Sequence, residues 1–166
     1  MGCRAADGFS LSSPTVRAEG QLTNDQVFNG FGCEGKNISP ALAWKNAPQG
    51  TKSFAVTVYD PDAPTSSGWW HWVVVNIPAS VNKLGEGAGD RSGKGLPEKA
   101  TQIRTDFGYA GFGGPCPPKG DKPHRYVFTV FALKTEKLDL PPDATAALAG
   151  FMINGELIAK TSFTAY

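Results

Sequence analysis

The chain holds two histidines, His71 and His124, and each follows a turn-rich loop and opens an extended run. His71 lies in Trp69-Trp70-His71-Trp72-Val73-Val74-Val75-Asn76, after Ser66-Ser67-Gly68. His124 lies in His124-Arg125-Tyr126, after Gly114-Pro115-Cys116-Pro117-Pro118-Lys119-Gly120-Asp121-Lys122-Pro123. A third segment, Asp60-Pro61-Asp62-Ala63-Pro64, carries two carboxylates one residue apart. Imidazoles, a phenol and carboxylates can move protons or hold polar groups, so two chemistries fit. One is hydrolysis, with Asp60, His71 and His124 as an acid–base pair or part of a triad. The other is binding, with the same groups as donors and acceptors for a ligand. No Gly-x-Ser-x-Gly elbow is present, and Ser66 and Ser67 read as turn formers, so hydrolysis is the weaker reading. Each residue also has a plain structural account. A half-buried histidine is ordinarily satisfied by a backbone group, and an Asp before Pro ordinarily bonds its own backbone in a turn.

The elements that would position these groups can be read from periodicity. Residues 53–59 alternate as a strand with Phe54, Val56 and Val58 towards the core, and the Asp60–Pro64 prolines stop it. Residues 69–78 form a strand with bulky side chains on both faces, on which His71 shares its face with Val73 and Val75. Four prolines make residues 114–123 a rigid loop, and the strand it feeds places His124 and Tyr126 on one face and Arg125 on the other. Shorter strands are expected at 9–12, 41–44 and 161–164. The glycine-rich stretch 79–107 suits a long surface excursion. A helix near the C-terminus begins after Pro141-Pro142, with Asp143 as its cap and Ala144, Leu148, Phe151 and Met152 at helical spacing.

Composition narrows the class. With 166 residues, 40% of them hydrophobic, one domain over 9–166 with a loose segment over 1–8 is expected. Twenty glycines and thirteen prolines between short β-branched runs favour a mainly β protein, a sandwich with a few short helices. Sixteen basic against fifteen acidic residues, net +1, supply no basic patch for a nucleic acid. No run approaches the ~20 apolar residues that span a bilayer. The start has no signal-peptide core, although Ala5-Ala6-Asp7 resembles residue types near cleavage sites. A processed chain would be periplasmic and an unprocessed one cytoplasmic. Cys33 and Cys116 sit in glycine- or proline-rich loops and Cys3 in the terminus. One disulfide with a spare thiol and a fully reduced set are both allowed, and the spacing lacks the pairing of a zinc knuckle. No cofactor is implied.

Taken together and in this order, Asp60-Pro61-Asp62-Ala63-Pro64, the Trp69–Asn76 run and Gly114-Pro115-Cys116-Pro117-Pro118 through His124-Arg125-Tyr126 resemble the phosphatidylethanolamine-binding protein family. Asn37-Ile38-Ser39-Pro40 and the two cysteine-bearing loops make the chain most similar to its bacterial, Raf-kinase-inhibitor-like branch. The resemblance implies an antiparallel β-sandwich with a small pocket at one end for phosphate or phospholipid head groups, formed at Asp60, Asp62, His71, Pro115, His124 and Tyr126. Because carboxylates repel a phosphate, Asp60 is assigned to orienting and charging a histidine and Asp62 to shaping the loop or binding a ligand amine, with the reverse assignment left open. Against the animal members, Cys116 is extra and the chain ends at Tyr166, which implies a more open pocket rim. The implied function is non-catalytic binding. The alternative is a protease or kinase inhibitor acting through residues 79–107, and a protein partner and a homodimer both stay open.

Overall fold

The computed structural model describes residues 8–166. The expected loose segment 1–8, apart from Gly8, and Cys3 lie outside the described residues. Ten strands and one helix follow in order: β1 (Ser10–Ser12), β2 (Asn29–Gly30), β3 (Cys33–Glu34), β4 (Leu42–Lys45), β5 (Ser53–Asp60), β6 (Trp69–Pro78), β7 (Lys83–Leu84), β8 (Thr101–Gln102), β9 (Tyr126–Leu133), α1 (Ala146–Gly155) and β10 (Leu157–Ala165). The β-branched and aromatic runs form the main sheet, in the order β10-β9-β5-β6-β8, with antiparallel pairing throughout. A three-stranded antiparallel sheet, β1-β4-β7, packs on one face of it, and α1 covers part of the other.

Alternation sorts the main-sheet side chains between two cores. Phe54, Val56, Val58, Trp72, Val74, Phe128 and Val130 meet Leu11, Leu42, Trp44 and Leu84 of the smaller sheet. Ala55, Val73, Val75, Phe131 and Leu133 meet Ala146, Ala149 and Ile153 of the helix. Phe128 is fully buried and stacks on Phe163 at 4.9 Å, so its truncation to Ala costs about 3–5 kcal/mol. The prolines of 60–64 end β5 as expected, so Asp60, the start of β6 and the start of β9 all meet at one end of the sandwich.

Three local expectations are corrected. The helix is capped by Thr145, whose hydroxyl accepts from Leu148 N at 3.1 Å, because Pro141–Ala144 closes its own turn first. Its inner face is therefore Ala146, Ala149 and Ile153, while Phe151 is 77% exposed. The stretch 79–107 is not merely a surface excursion: it contributes β7, β8 and the buried Leu84, Ala88 and Ile103. His71 does not share a face with Val73 and Val75. Across β5, Val58 pairs with Trp72 but Tyr59 pairs with Trp70, so His71 is the extra residue of a β-bulge. A bulge switches the alternation and re-aims a side chain. His71 is turned towards Tyr126, their rings 5.2 Å apart at 88°.

Candidate functional site

At that end of the sandwich lies a cavity of about 210 Å³, lined among others by Asp60, Trp69, His71, Phe107, His124 and Tyr126. Four of the six expected residues, Asp60, His71, His124 and Tyr126, come together there. Asp62 and Pro115 do not line it. Asp62 turns outward and accepts from Arg125 three times, from the backbone N at 2.8 Å, Nε at 3.0 Å and Nη2 at 2.8 Å. That guanidinium holds the Asp62 carboxyl down at about 2. Pro115 acts through its backbone, its carbonyl accepting from Phe28 N at 3.0 Å.

The in–out alternation of the loop explains this division. His124 and Tyr126 point inward and are almost fully buried, whereas Arg125 points outward. Asp60 matches the inward side: its Oδ2 accepts from His124 Nδ1 at 2.8 Å and its Oδ1 accepts from Asp62 N at 2.8 Å. The far nitrogen of His124 donates to Asp121 Oδ2 at 2.9 Å. Burial opposes charge on this imidazole, but the hydrogen bonds and charges of Asp60 and Asp121 outweigh it and raise the His124 pKa. Two carboxylates around one imidazolium leave one negative charge in excess, and neither nitrogen of His124 is free for a ligand.

His71 has the opposite surroundings. The run Gly113-Gly114 threads past Phe107 and Gln26 so closely that a Cβ on Gly114 would lie 1.7 Å from Gln26 O. Asn37 fixes this run, donating from Nδ2 to Phe112 O at 3.2 Å and accepting at Oδ1 from Gly114 N at 2.7 Å. The Gly113 carbonyl is thereby held 2.6 Å from His71 Nδ1. A carbonyl can only accept, so Nδ1 carries the proton and Nε2 presents a lone pair. Burial pushes the His71 pKa down to about 4, partly offset by the Gly113 bond, which keeps the ring neutral at physiological pH.

Tyr126 is 3% exposed, and burial with the nearby Asp60 carboxylate raises its pKa, so it stays a proton donor. Among the described residues, neither Tyr126 Oη nor His71 Nε2 has a protein hydrogen-bond partner. The only enclosed side-chain nitrogen or oxygen in that condition, among the described residues, is Trp44 Nε1, in the core, so neither site atom is sealed off, and both residues line the cavity. Reading the sequence missed Asp121, and it missed the aromatic rim of Phe31, Trp69 and Phe107. The spacing of Asp121 and His124, three residues apart in a stiff loop, was the available signal for the first. Phe31 caps the β2–β3 hairpin at φ 53° and is 73% exposed, with its ring 6.0 Å from Phe107.

A Cys33–Cys116 disulfide joins that hairpin to the proline loop, so two segments bordering the cavity are tied together. Among the described residues no hydroxyl side chain hydrogen-bonds to either imidazole. Thr65, at the cavity edge, donates to the Gly68 carbonyl, and Ser66 and Ser67 do not line the cavity. Among the described residues no cluster of three or more His, Cys, Asp or Glu side chains is arranged for a metal ion, and no helix is long and apolar enough to cross a membrane.

An antiparallel sandwich whose strand ends enclose a cavity with two histidines, an aspartate and a tyrosine defines a class of small binding protein. The chain belongs to the family described as phosphatidylethanolamine-binding protein, whose model matches residues 12–166. It is 59% identical to the UPF0098 protein YbcL of Escherichia coli over 96% of this chain and 87% of that one. With YbhB of the same organism it shares 51% identity over 95% of this chain and 98% of that protein. The crystal structure of Escherichia coli YbcL, described as a member of the mammalian PEBP family, superposes with a TM-score of 0.93, covering 95% of this chain and 96% of that one. A phosphatidylethanolamine-binding protein homolog from Chlamydia trachomatis superposes with a TM-score of 0.78 at 28% identity, covering 96% of each chain. None of these relatives carries an enzyme name.

Proposed function

We propose that this chain is a non-catalytic binding protein whose end cavity takes a phosphate-containing head group. The observation that supports the reading most is that Tyr126 and His71 both line the cavity and their Oη and Nε2 atoms, which are not sealed in the core, have no protein partner. A largely apolar cavity with a few unpartnered polar atoms on its wall is suited to a ligand that completes them. Phe31, Trp69 and Phe107 would cover the carbon part of that ligand. Membership in the family supports the class of ligand, and the commitment of both His124 nitrogens to carboxylates disfavours acid–base catalysis.

Thermal melting tests the reading. Phosphoethanolamine at a hundred times its dissociation constant should add ~2.7 kcal/mol and raise the melting temperature by about 5–10 °C for a chain of this length. Tyr126→Phe, which removes one hydrogen bond to a charged ligand, should weaken binding by about tenfold or more. No shift with phosphoethanolamine or inorganic phosphate in the native protein would contradict the proposal.

A further inference from the structure

The opposite end of the sandwich carries a second concave surface. β5 runs from Ser53 to Asp60, so its start lies roughly 25 Å from Asp60 at ~3.3 Å per residue. There a cavity of about 690 Å³ is lined among others by Lys52, Asn76, Lys99, Thr101, Glu136 and Lys137. Three lysines against one glutamate leave its wall with two positive charges in excess. Among the described residues neither Lys52 nor Lys99 has an ion-pair partner, and Lys137 has only Asp139, at 3.9 Å, with both side chains open to water. A neighbouring cavity of about 400 Å³ shares Asn76, Thr101 and Lys137 and adds Arg104 together with the apolar Leu140 and Pro141. No carboxylate side chain is among the residues lining that second part.

The wall of this cleft is held in place. Buried Ser53 donates to Thr135 O at 2.6 Å, Thr135 Oγ1 donates to Lys137 O at 3.1 Å, and Asn76 Oδ1 accepts from Leu138 N at 2.8 Å, so the loop of Glu136 and Lys137 is pinned on both sides. Asn76 makes its bond at φ 58°, a conformation that asparagine tolerates. Lys99 has no such account. Ala100 N donates to Pro97 O at 3.1 Å and closes a turn whose third residue, Lys99, has φ 74°. Glycine is the residue that suits this position. A lysine there strains the backbone, gains no ion pair and adds to a group of like charges, so its use lies in the charge it brings to the cleft. We propose that the cleft binds a small organic anion with two separated negative groups, a dicarboxylate or a bisphosphate on a short carbon body. Lysine is a compact point charge that attracts carboxylate and phosphoryl oxygens alike, and Leu140 and Pro141 offer apolar surface to the carbon body. A ligand with one anionic group leaves part of the excess charge unmatched. This site is separate from the end cavity and does not depend on how that cavity is read.

The test is calorimetric titration of the native protein near neutral pH and low ionic strength with two pairs of probes: adipate against hexanoate, and fructose 1,6-bisphosphate against fructose 6-phosphate. At least one two-headed probe should bind ~10-fold or more tightly than its single-headed counterpart, and should weaken several-fold when salt is raised from ~20 to ~150 mM. Preference for adipate assigns the cleft to carboxylates, and preference for the bisphosphate assigns it to phosphates. Lys99→Gly should lower that affinity about fivefold or more while leaving the melting temperature unchanged or raised, because glycine relieves the turn as it removes the charge. Lys137→Gln should lower it as well, and Tyr126→Phe in the end cavity should leave it unchanged. Two-headed probes that bind no better than single-headed ones overturn the proposal. So does tight binding that survives Lys99→Gly and Lys137→Gln but is lost in Tyr126→Phe, which would place the anion in the end cavity.

Discussion

Two imidazoles border one cavity and are held in opposite states. His124 sits in a stiff proline loop between Asp60 and Asp121, charged, with no nitrogen to spare. His71 sits on a β-bulge against a backbone carbonyl, neutral, with one nitrogen bare. Both are about 5% exposed or less, so burial alone does not separate them. The difference lies in what the neighbouring chain presents. A carboxylate rewards the proton that burial penalises, whereas a single carbonyl fixes the tautomer without offsetting the loss of water. One histidine thus serves as a charged clasp between loops, and the other, under the proposed function, as a neutral contact for the ligand.

Removing the clasp should give the largest effect. His124→Gln leaves Asp60 buried without its cationic partner and is expected to cost about 3–5 kcal/mol in denaturant unfolding, whereas His71→Gln should cost distinctly less. Equal losses at the two positions would dissolve the contrast between them. Next comes the Cys33–Cys116 bridge, which spans 83 residues of sequence and ties the Phe31 hairpin to the loop that carries His124. Its reduction should destabilise the fold by about 2–4 kcal/mol and loosen the cavity rim, seen as weaker phosphoethanolamine binding by more than the stability loss alone explains. Two free thiols in a preparation made under oxidising conditions would remove the bridge from the account.

The two rings also predict opposite pH dependences. A histidine whose folded pKa is lowered takes up its proton more readily in the unfolded chain. His71 should therefore destabilise the fold as the pH falls from about 6.5 to about 4, by roughly 3 kcal/mol in full. His124, raised in the folded state, contributes stability that is present below about 6.5 and is lost as the pH rises through its folded value. Comparing His71→Gln and His124→Gln with the native protein across this range separates the two slopes. The smallest effect is expected outside the cavity: Asp62→Asn breaks the exposed pair with Arg125 and should leave ligand affinity within about twofold, with its stabilising part lost in the native protein only as the pH falls below about 4 towards 2.

Much of the sandwich was legible in the sequence. The strand of residues 53–59, the doubly buried strand of 69–78 and the inward pairing of His124 with Tyr126 follow from period-two alternation and from where the prolines fall. The state of each histidine was not legible. The bulge at His71 is a register shift between β5 and β6, and nothing in either strand announces it, which is why His71 was expected beside Val73 and Val75. Asp60 and Asp62 were given different roles with the reverse left open, because the partner of each, His124 for Asp60 and the outward-turned Arg125 for Asp62, is more than sixty residues away. The helix cap fell on Thr145 because Pro141 engages Ala144 before the helix begins. Asn37 was noted as part of a motif, yet its role depends on Phe112 and Gly114, more than seventy residues away.

The opposed states of the two rings can be read directly by NMR titration of the imidazole resonances in the unliganded protein. The account predicts that His71 stays a neutral Nδ1–H tautomer down to about pH 4 while His124 titrates above 6.5. Two midpoints together near 6.5, or His71 titrating above His124, would contradict it.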